Sequence, residues 1–403
     1  MSAETVDTPA GAAPPDRAGA PATLLPGRLR IRAALRRAAP ALALFATIRL
    51  TGLVTTALWA WHTGRHPRTL LGASWDSRWY LSIARHGYGA PAPTGMWPDL
   101  PLADLAFFPL YPWLARIVAS LIPVGLLNAG LLVAWAASGL AAWGVFAVGA
   151  HLYDRRVGTL LVVLWALLPH GVIESLAYTE SLLTALCAWS LYALLTRRFL
   201  AAAALAVLAG LARPSALAIV AAVGAVAVTH TWHRPGPLPL RLWAAALLAP
   251  LGWLGYVLWV GARAGTGPLG YFEVQELWGS RFDFGHDTLR SVKHLVLYGD
   301  PPAHVMVVAV LSVSLLLYAL LVLDRPPTAL LVYTTVLVVI ALGGTGYFAS
   351  KPRFLLPAFP LLLPLALALS RARTRTLLLT TGSLGSLALG YGIYLLTVAG
   401  LPL

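Results

Sequence analysis

The sequence predicts an all-α polytopic membrane protein. Of its 403 residues, 59% are hydrophobic and 11% charged, against roughly 45–50% and about 25% in soluble globular domains. Apolar runs recur along the chain, and because lipid leaves only helices or closed barrels viable, runs of about twenty residues favour helices. The net charge of +14 would indicate nucleic-acid binding in a soluble protein, but here it indicates unequal loops on the two sides of a membrane.

Eleven apolar segments are predicted to cross the membrane. Ahead of them, the Ala-, Pro- and Gly-rich composition of residues 1–26 predicts disorder, so we expect residues 1–40 to form a disordered cytoplasmic tail with a basic juxtamembrane segment, and residues 41–403 to form the membrane domain. Several segments are shorter than the roughly twenty residues of a full crossing, which predicts kinked or broken helices near Pro169 and Pro214. The segments are 41–61, 127–150, 157–173, 181–195, 199–211, 215–229, 242–261, 303–323, 328–342, 354–369 and 376–398.

The distribution of charge predicts the orientation. With a cytoplasmic N-terminus, sixteen of the 29 basic residues lie on the cytoplasmic side, in accord with the positive-inside rule. Ten of the fifteen acidic residues and the long segments 62–126 and 262–302 then lie outside. Topology does not require acidic residues, so their concentration on one face indicates chemistry or ligand binding there, with solvated loops as the alternative. We expect a plasma-membrane protein whose active site faces away from the cytoplasm.

The first outer loop contains an amphipathic segment, residues 74–88. Its spacing predicts a helix that lies along the membrane surface, opened by Ser74 as the N-cap and closed by Gly87. Asp76 in the first turn is either an acid favoured by the helix dipole or a functional carboxylate. The tryptophans around it, Trp75 among them, also fit an interfacial aromatic belt.

A second half-buried element follows at residues 107–113. Pro109 and Pro112 predict a shaped turn in place of a regular helix. Tyr111 and Trp113 are expected to anchor this turn at the bilayer surface.

Several motifs along the chain carry a family resemblance. They are Trp75-Asp76, Trp79-Tyr80, Ile83-Ala84, His86-Gly87-Tyr88, Phe107-Phe108-Pro109, Tyr111-Pro112, Tyr178-Thr179-Glu180-Ser181, Gly210-Leu211-Ala212-Arg213-Pro214 and Arg353-Phe354 with Pro357. In this order they resemble the family of the second mannosyltransferase of GPI-anchor synthesis, within the polyprenyl-phosphate-sugar-dependent membrane glycosyltransferases of the GT-C type. The resemblance covers most of residues 41–370.

This resemblance implies many transmembrane helices, membrane-parallel helices in the first outer loop and a catalytic acidic residue, which corresponds to Asp76. The implied donor is mannose, or a related hexose, linked through phosphate to a polyprenol. The sugar passes with inversion to a hydroxyl of a glycan, glycolipid or protein acceptor on the outer side. No nucleic-acid partner and no cofactor are expected, and dependence on a divalent metal stays open.

Asp76 is the candidate general base, because inverting transfer requires a proton acceptor near the attacking hydroxyl. Trp75 and Tyr80 are expected to contact the acceptor or to support the site. Glu180, at the head of a predicted span, is expected to bind the acceptor or to orient Arg213.

Three cations on the predicted outer side are candidates for binding the donor phosphate: Arg213, Lys351 and Arg353. Guanidinium groups match phosphate oxygens in pairs, and basic residues on this side run against the positive-inside rule. Snorkelling from helix ends is the alternative. Arg49 lies inside the first span, where a charge requires a partner, and we expect a structural role for it.

The second outer loop contains an aromatic and acidic segment, residues 271–278, which predicts an interfacial helix. Its acids, with Asp283, His286 and Asp287, either contact the acceptor or are merely solvated. A transporter or lipid flippase is the alternative function, since such proteins also have broken helices and intramembrane charges, but the sequence shows no repeated halves. A non-catalytic scaffold would leave the motif at 75–88 without a role.

Overall fold

The computed structural model describes residues 27–93, 102–233, 239–299 and 301–400. Within these ranges the protein is helical, and its one strand-like pairing is a bridge between Phe282 and Gly344. The predicted disordered tail, residues 1–26, lies outside the described residues.

The helices are α1 (Gly27–His62), α2 (Pro67–Gly72), α3 (Asp76–His86), α4 (Leu110–Leu121), α5 (Leu126–Leu152), α6 (Arg155–Ala166), α7 (Glu180–Leu195), α8 (Phe199–Gly210), α9 (Leu217–His233), α10 (Leu240–Leu248), α11 (Leu251–Ala264), α12 (Gly270–Leu277), α13 (His286–Tyr298), α14 (Pro302–Leu323), α15 (Thr328–Gly343), α16 (Lys351–Phe354), α17 (Leu363–Arg371) and α18 (Thr374–Thr397).

Among the described residues, six helical stretches are long and apolar enough to cross a membrane, or seven if a pair of helices bent by 78° counts as one span. The six are 31–62, 126–152, 214–233, 240–264, 302–323 and 374–397, and the bent pair is 348–354 with 359–371. The four other predicted spans coincide with α6, α7, α8 and α15, which are 12 to 16 residues long. The protein is therefore a multi-pass membrane protein, and the number of eleven crossings stays a prediction.

The predicted breaks at Pro169 and Pro214 are confirmed. The helix α6 ends at Ala166, and a short 3-10 helix, Gly171–Ser175, separates it from α7. Pro214 begins a second 3-10 helix between α8 and α9. Both breaks place polar backbone and charged side chains at one end of the bundle, which we call the site end.

The first helix, α1, includes the basic segment as well as the apolar span, so helix continues through residue 40 without interruption. Arg49 in its middle donates hydrogen bonds to the carbonyl oxygens of Ala166 and Gly171. These carbonyls flank the turn after α6, where helical partners are missing. The structural pairing predicted for Arg49 is confirmed.

Small residues allow the central helices to approach closely, as in other membrane bundles. A Cβ atom placed on Gly149 of α5 would lie 2.9 Å from the Cα atom of Gly158 in α6. A Cβ atom on Gly158 would lie 2.8 Å from the carbonyl oxygen of Phe146. The α5–α6 crossing therefore requires glycine on both helices.

The helix α3 is present where the sequence predicts it, but its start differs. It begins at Asp76 after Trp75, and the Ser74 hydroxyl donates to the Leu70 carbonyl oxygen at 2.5 Å. The prediction of Ser74 as the N-cap is therefore wrong, because that hydroxyl serves the end of α2. Gly87 ends α3, as predicted, with φ of +81°.

The structure decides against the interfacial-belt alternative for Trp79, and it corrects the prediction that Tyr111 anchors a turn at the bilayer surface. Trp79 is buried and stacks on Phe107 with ring centroids 5.6 Å apart, so it belongs to the protein interior and not to an interfacial belt. Tyr111 is fully buried, and its hydroxyl donates to the Gly130 carbonyl oxygen at 2.8 Å. Residues 110–121 form a regular helix, because Pro112 lies in its first turn, where an N–H has no helical partner.

Candidate active site

The site begins at a strained residue. Trp75 has φ of +46° and ψ of −119°, a conformation that costs of order 1–3 kcal/mol for a non-glycine residue. Trp75 lies between α2 and α3 and directly precedes Asp76, the first residue of α3. Strain of this kind concentrates at functional sites.

Asp76 forms an ion pair with Arg353, which lies far away in the sequence. The Arg353 Nη2 donates to Asp76 Oδ2 at 2.7 Å, and the two side chains are 10% and 21% exposed. Arg353 comes from the short helix α16, which follows the loop after α15. The structure therefore brings together the predicted base and one of the predicted phosphate ligands.

Glu180 connects the two arginines of the site. Its Oε1 accepts from Arg213 Nη1 at 2.5 Å and lies 3.4 Å from Arg353 Nε. The carboxylate is 1% exposed. Asp76, Arg353, Glu180 and Arg213 thus form a chain of alternating charges. The contact of Glu180 with Arg213 fits the second of the two roles expected for Glu180, which is to orient Arg213.

The guanidinium groups of Arg353 and Arg213 make cation–π contacts with aromatic rings. Arg353 lies over the rings of Tyr178 and Phe354, at 5.5 Å and 5.4 Å from their centroids. Arg213 lies 5.8 Å from the centroid of the same Phe354 ring. Such cation–π contacts add directional attraction where water is displaced. Neither Tyr178 nor Phe354 has a predicted role, although both belong to the quoted motifs.

Tyr80 and Thr179 continue the polar network. Arg213 Nη1 donates to Thr179 Oγ1 at 3.0 Å, and this hydroxyl lies 3.2 Å from the Tyr80 hydroxyl. Burial raises the pKa of Tyr80 above its ordinary value; the Arg213 guanidinium acts against this shift, and the carboxylates of Asp76 and Glu180 act with it. The phenol therefore stays protonated and is available as a hydrogen-bond donor.

A cavity of about 520 Å³ opens beside these groups. We call it the main cavity. Its polar wall includes Asp76, Arg213 and Arg353, and its apolar wall includes Trp253 and Phe272. The other predicted site residues that line it are Trp75, Tyr80 and Lys351. Glu180 does not line it but lies behind the arginines, so it positions cations and does not face a ligand.

Lys351 differs from the arginines in its contacts. It is 1% exposed, and its Nζ donates to the carbonyl oxygens of Gly344 at 2.5 Å and Ala341 at 3.3 Å. Two of its three hydrogens therefore hold the end of α15 to α16. Its main contribution is to fix the loop between these helices.

No family model matches the sequence, and no curated protein matches it. The fold is similar to that of ArnT from Cupriavidus metallidurans. For ArnT bound to undecaprenyl phosphate, the TM-score is 0.53 and the identity 17%, over 88% of this chain and 75% of ArnT. For ArnT in the apo state, the TM-score is 0.50 and the identity 18%, over 87% of this chain and 76% of ArnT.

A third solved structure is that of the archaeal oligosaccharyltransferase AglB from Archaeoglobus fulgidus, in complex with an inhibitory peptide and a dolichol-phosphate. Its TM-score is 0.45 and its identity 12%, over 87% of this chain and 55% of AglB. The likeness to ArnT shows the fold alone: the chain has an all-α polytopic architecture similar to that of ArnT. The predicted fold class is confirmed.

Proposed function

We propose that this protein is a membrane glycosyltransferase that transfers mannose, or a related hexose, from a polyprenyl-phosphate donor to an acceptor hydroxyl at the outer membrane face, with inversion. The main cavity carries this proposal, since it joins an apolar wall to a polar wall that contains the Asp76 carboxylate and the guanidinium groups of Arg213 and Arg353. An amphiphilic donor requires both kinds of surface. The fold shared with ArnT, which has been solved with undecaprenyl phosphate, supports a lipid-linked donor.

In the proposed reaction, Asp76 takes the proton of the acceptor hydroxyl as its oxygen bonds to C1 of the sugar. The bond between C1 and the phosphate oxygen breaks, and its electron pair leaves with the polyprenyl phosphate. Asp76 lines the cavity and keeps a fifth of its side chain exposed, so a hydroxyl has access to it. General base catalysis of this type contributes roughly 10²–10⁴-fold.

Arg213 and Arg353 bind the phosphate and stabilise the charge that develops on it. Their guanidinium groups are fixed by carboxylates and aromatic rings before any ligand arrives, and such preorganised donors are effective in a site shielded from water. Lys351 contributes its remaining hydrogen and its charge. Trp75 and Tyr80 contact the acceptor, and Glu180 orients both arginines.

The test uses the purified full chain in lipid nanodiscs. Polyprenyl-phosphate mannose, labelled in the sugar, is supplied with a membrane lipid extract as the acceptor pool, and the product is analysed for anomeric configuration. We expect an inverted product, and loss of at least 100-fold in rate for Asp76→Asn. Glu273→Gln is the matched control, because that carboxylate is exposed on α12 outside the main cavity.

Full activity of Asp76→Asn would show that another group is the base. Movement of the lipid across the membrane without any sugar transfer would instead favour the transporter alternative. Arg353→Gln tests phosphate binding separately. Charge-assisted hydrogen bonds contribute about 1.5–3 kcal/mol, so the donor KM is expected to rise by roughly 10- to 100-fold.

A further inference from the structure

A second cavity, of about 540 Å³, adjoins the main cavity. We call it the polar cavity. Thr345 and Gly346 line both cavities, so a molecule that fills the polar cavity reaches the wall of the main one. The other polar side chains of its lining are Glu276, Arg281, Asp283, His286, Asp287 and Arg290.

The wall between the two cavities is built by close backbone contacts. Gly346 has φ of +72°, and a Cβ atom there would lie 2.8 Å from the carbonyl oxygen of Gly279. Thr345 N donates to the Arg281 carbonyl oxygen at 2.7 Å, and Asp283 N donates to the Gly343 carbonyl oxygen at 2.9 Å. These bonds tie the second long loop to the segment that leads to Lys351 and Arg353.

Two acidic residues of the polar cavity, Asp283 and Asp287, accept hydrogen bonds from the backbone around it. Asp283 accepts from the backbone N–H groups of Gly285, at 3.0 Å, and Asp287, at 2.7 Å. Asp287 accepts from Gly346 N at 3.2 Å. The backbone around the polar cavity is therefore held by Asp283 and Asp287, and the side chains of Glu276, Arg281 and Arg290 are not needed for it.

The remaining side chains are available to a ligand. Within the part of the chain that the structure describes, Glu276, Arg281 and Arg290 are exposed, and their side-chain atoms form no hydrogen bond or ion pair; Arg281 bonds to Thr345 through its backbone groups only. A carboxylate accepts hydrogen bonds and a guanidinium donates them. The polar cavity thus offers acceptors and donors together, which a sugar hydroxyl, itself both donor and acceptor, satisfies.

The mixture of positive and negative side chains in the polar cavity favours an uncharged ligand over an anion or a cation. Three carboxylates repel an anion and two guanidinium groups repel a cation. Among the described residues of the lining there is no hydrocarbon side chain and no ring other than the His286 imidazole, which disfavours a lipid tail. We propose that the polar cavity binds the uncharged, hydroxyl-rich head of the acceptor, that is, a glycan, and presents one of its hydroxyls to Asp76. This inference rests on the proposed function and assigns its acceptor class.

The test compares three probes on the full chain in nanodiscs by saturation-transfer NMR: methyl α-mannoside, methyl phosphate and choline, each of which carries a methyl group that reports binding. We expect binding of the mannoside above both ions. The variant Glu276→Gln with Arg281→Gln keeps the net charge and removes both charged groups, and it should weaken mannoside binding at least tenfold. The control, Glu273→Gln with Arg68→Gln, makes the same changes at exposed positions outside both cavities and should leave binding unaltered.

Kinetics separate this inference from the proposed function. The cavity variant should raise the acceptor KM at least tenfold and leave hydrolysis of the donor by water unchanged. Stronger binding of phosphate or choline, or equal mannoside binding by the two double variants, would overturn the glycan assignment while sensitivity to Asp76→Asn still supports the transferase. Absence of any sugar transfer by the wild type would refute the function itself, whatever the probes bind.

Discussion

Glu180 is the residue on which the charges of the site converge. It is 1% exposed and contacts both Arg213 and Arg353, which are 11% and 10% exposed. Breaking a buried ion pair by removing one partner costs about 3–5 kcal/mol, because the other charge stays buried without compensation. Glu180 therefore compensates the charge of both buried arginines as well as placing them, and its removal alone is expected to destabilise the site end.

We predict that Glu180→Ala lowers the stability of the protein by about 3–5 kcal/mol, measured by thermal unfolding in detergent. Adding Arg213→Ala to Glu180→Ala should recover part of that loss, because one uncompensated cation is removed. Glu273→Ala, an exposed carboxylate on α12, should change stability by less than about 0.5 kcal/mol. Equal melting of Glu180→Ala and Glu273→Ala would show that the network carries no stability.

Sequence reasoning identified the members of this network but not all of its contacts. A charge in an apolar chain requires a partner, which marks Glu180, Arg213 and Arg353 as candidates. The pairing of Asp76 with Arg353 joins the two ends of the chain, and no spacing rule predicts such a contact. The aromatic support from Tyr178 and Phe354 is also invisible to spacing, because many membrane-protein aromatics fill interfacial belts.

Asp104 is a buried acid in a short 3-10 helix, Ala103–Ala106, near the site end. Its Oδ2 accepts from Gly89 N at 2.6 Å. Burial raises its pKa, although hydrogen bonds from backbone N–H groups and nearby Arg263 act in the opposite direction. The folded state thus binds this proton more tightly than the unfolded state does.

The consequence is a pH dependence with a defined sign. A raised carboxyl pKa means that folding is favoured at low pH, and this contribution is lost as the pH rises through the folded-state value. Asp104→Asn removes the titrating group, so its Tm relative to the wild type should be higher at pH 7 than at pH 4.5. A Tm difference that is constant, or larger at pH 4.5, would contradict the assigned direction.

The crossing of α5 and α6 is the tightest helix contact described above, and it offers a matched pair of substitutions. A Cβ atom at Gly158 meets backbone atoms at 2.8 and 2.9 Å, whereas one at Gly139 on α5 meets nothing within 4 Å. Backbone cannot yield as a flexible side chain does, so Gly158→Ala forces the helices apart. Overpacking of this kind typically costs about 1–3 kcal/mol.

We predict that Gly158→Ala lowers Tm clearly, while Gly139→Ala leaves it unchanged or raises it, since alanine is favoured over glycine in a helix. Thermal unfolding in one detergent provides the comparison. Equal losses from both variants would mean that helix propensity, and not close packing, sets the stability of these elements.

Element boundaries were predicted well wherever proline or glycine ends a helix. The turns at Pro169 and Pro214 and the end of α3 at Gly87 follow directly from backbone chemistry. The start of α3 does not, because the Ser74 hydroxyl had two possible partners and the tertiary fold selects the Leu70 carbonyl. The burial of Tyr111 likewise depends on the packing of α4 against α5, which no local pattern contains.

The orientation of the whole molecule is a prediction that labelling can check. In a Cys187→Ala background, Lys293→Cys lies on α13 and is expected outside, while Thr374→Cys begins α18 and is expected inside. Both positions are exposed. A membrane-impermeant maleimide added to intact cells should modify the first and not the second, and the reverse pattern would place the active site on the cytoplasmic side.

At the scale of the molecule, the chain of Asp76, Arg353, Glu180 and Arg213 contains two negative and two positive groups. With Lys351 beside this chain of groups, the site carries one net positive charge, and because screening limits its reach to about 10 Å at 0.1 M salt, it does not draw a charged molecule from a distance. Encounter with a lipid-borne donor would then be governed by two-dimensional diffusion in the bilayer. The rate of capture should accordingly be insensitive to ionic strength, unlike that of an enzyme that collects an anion from water.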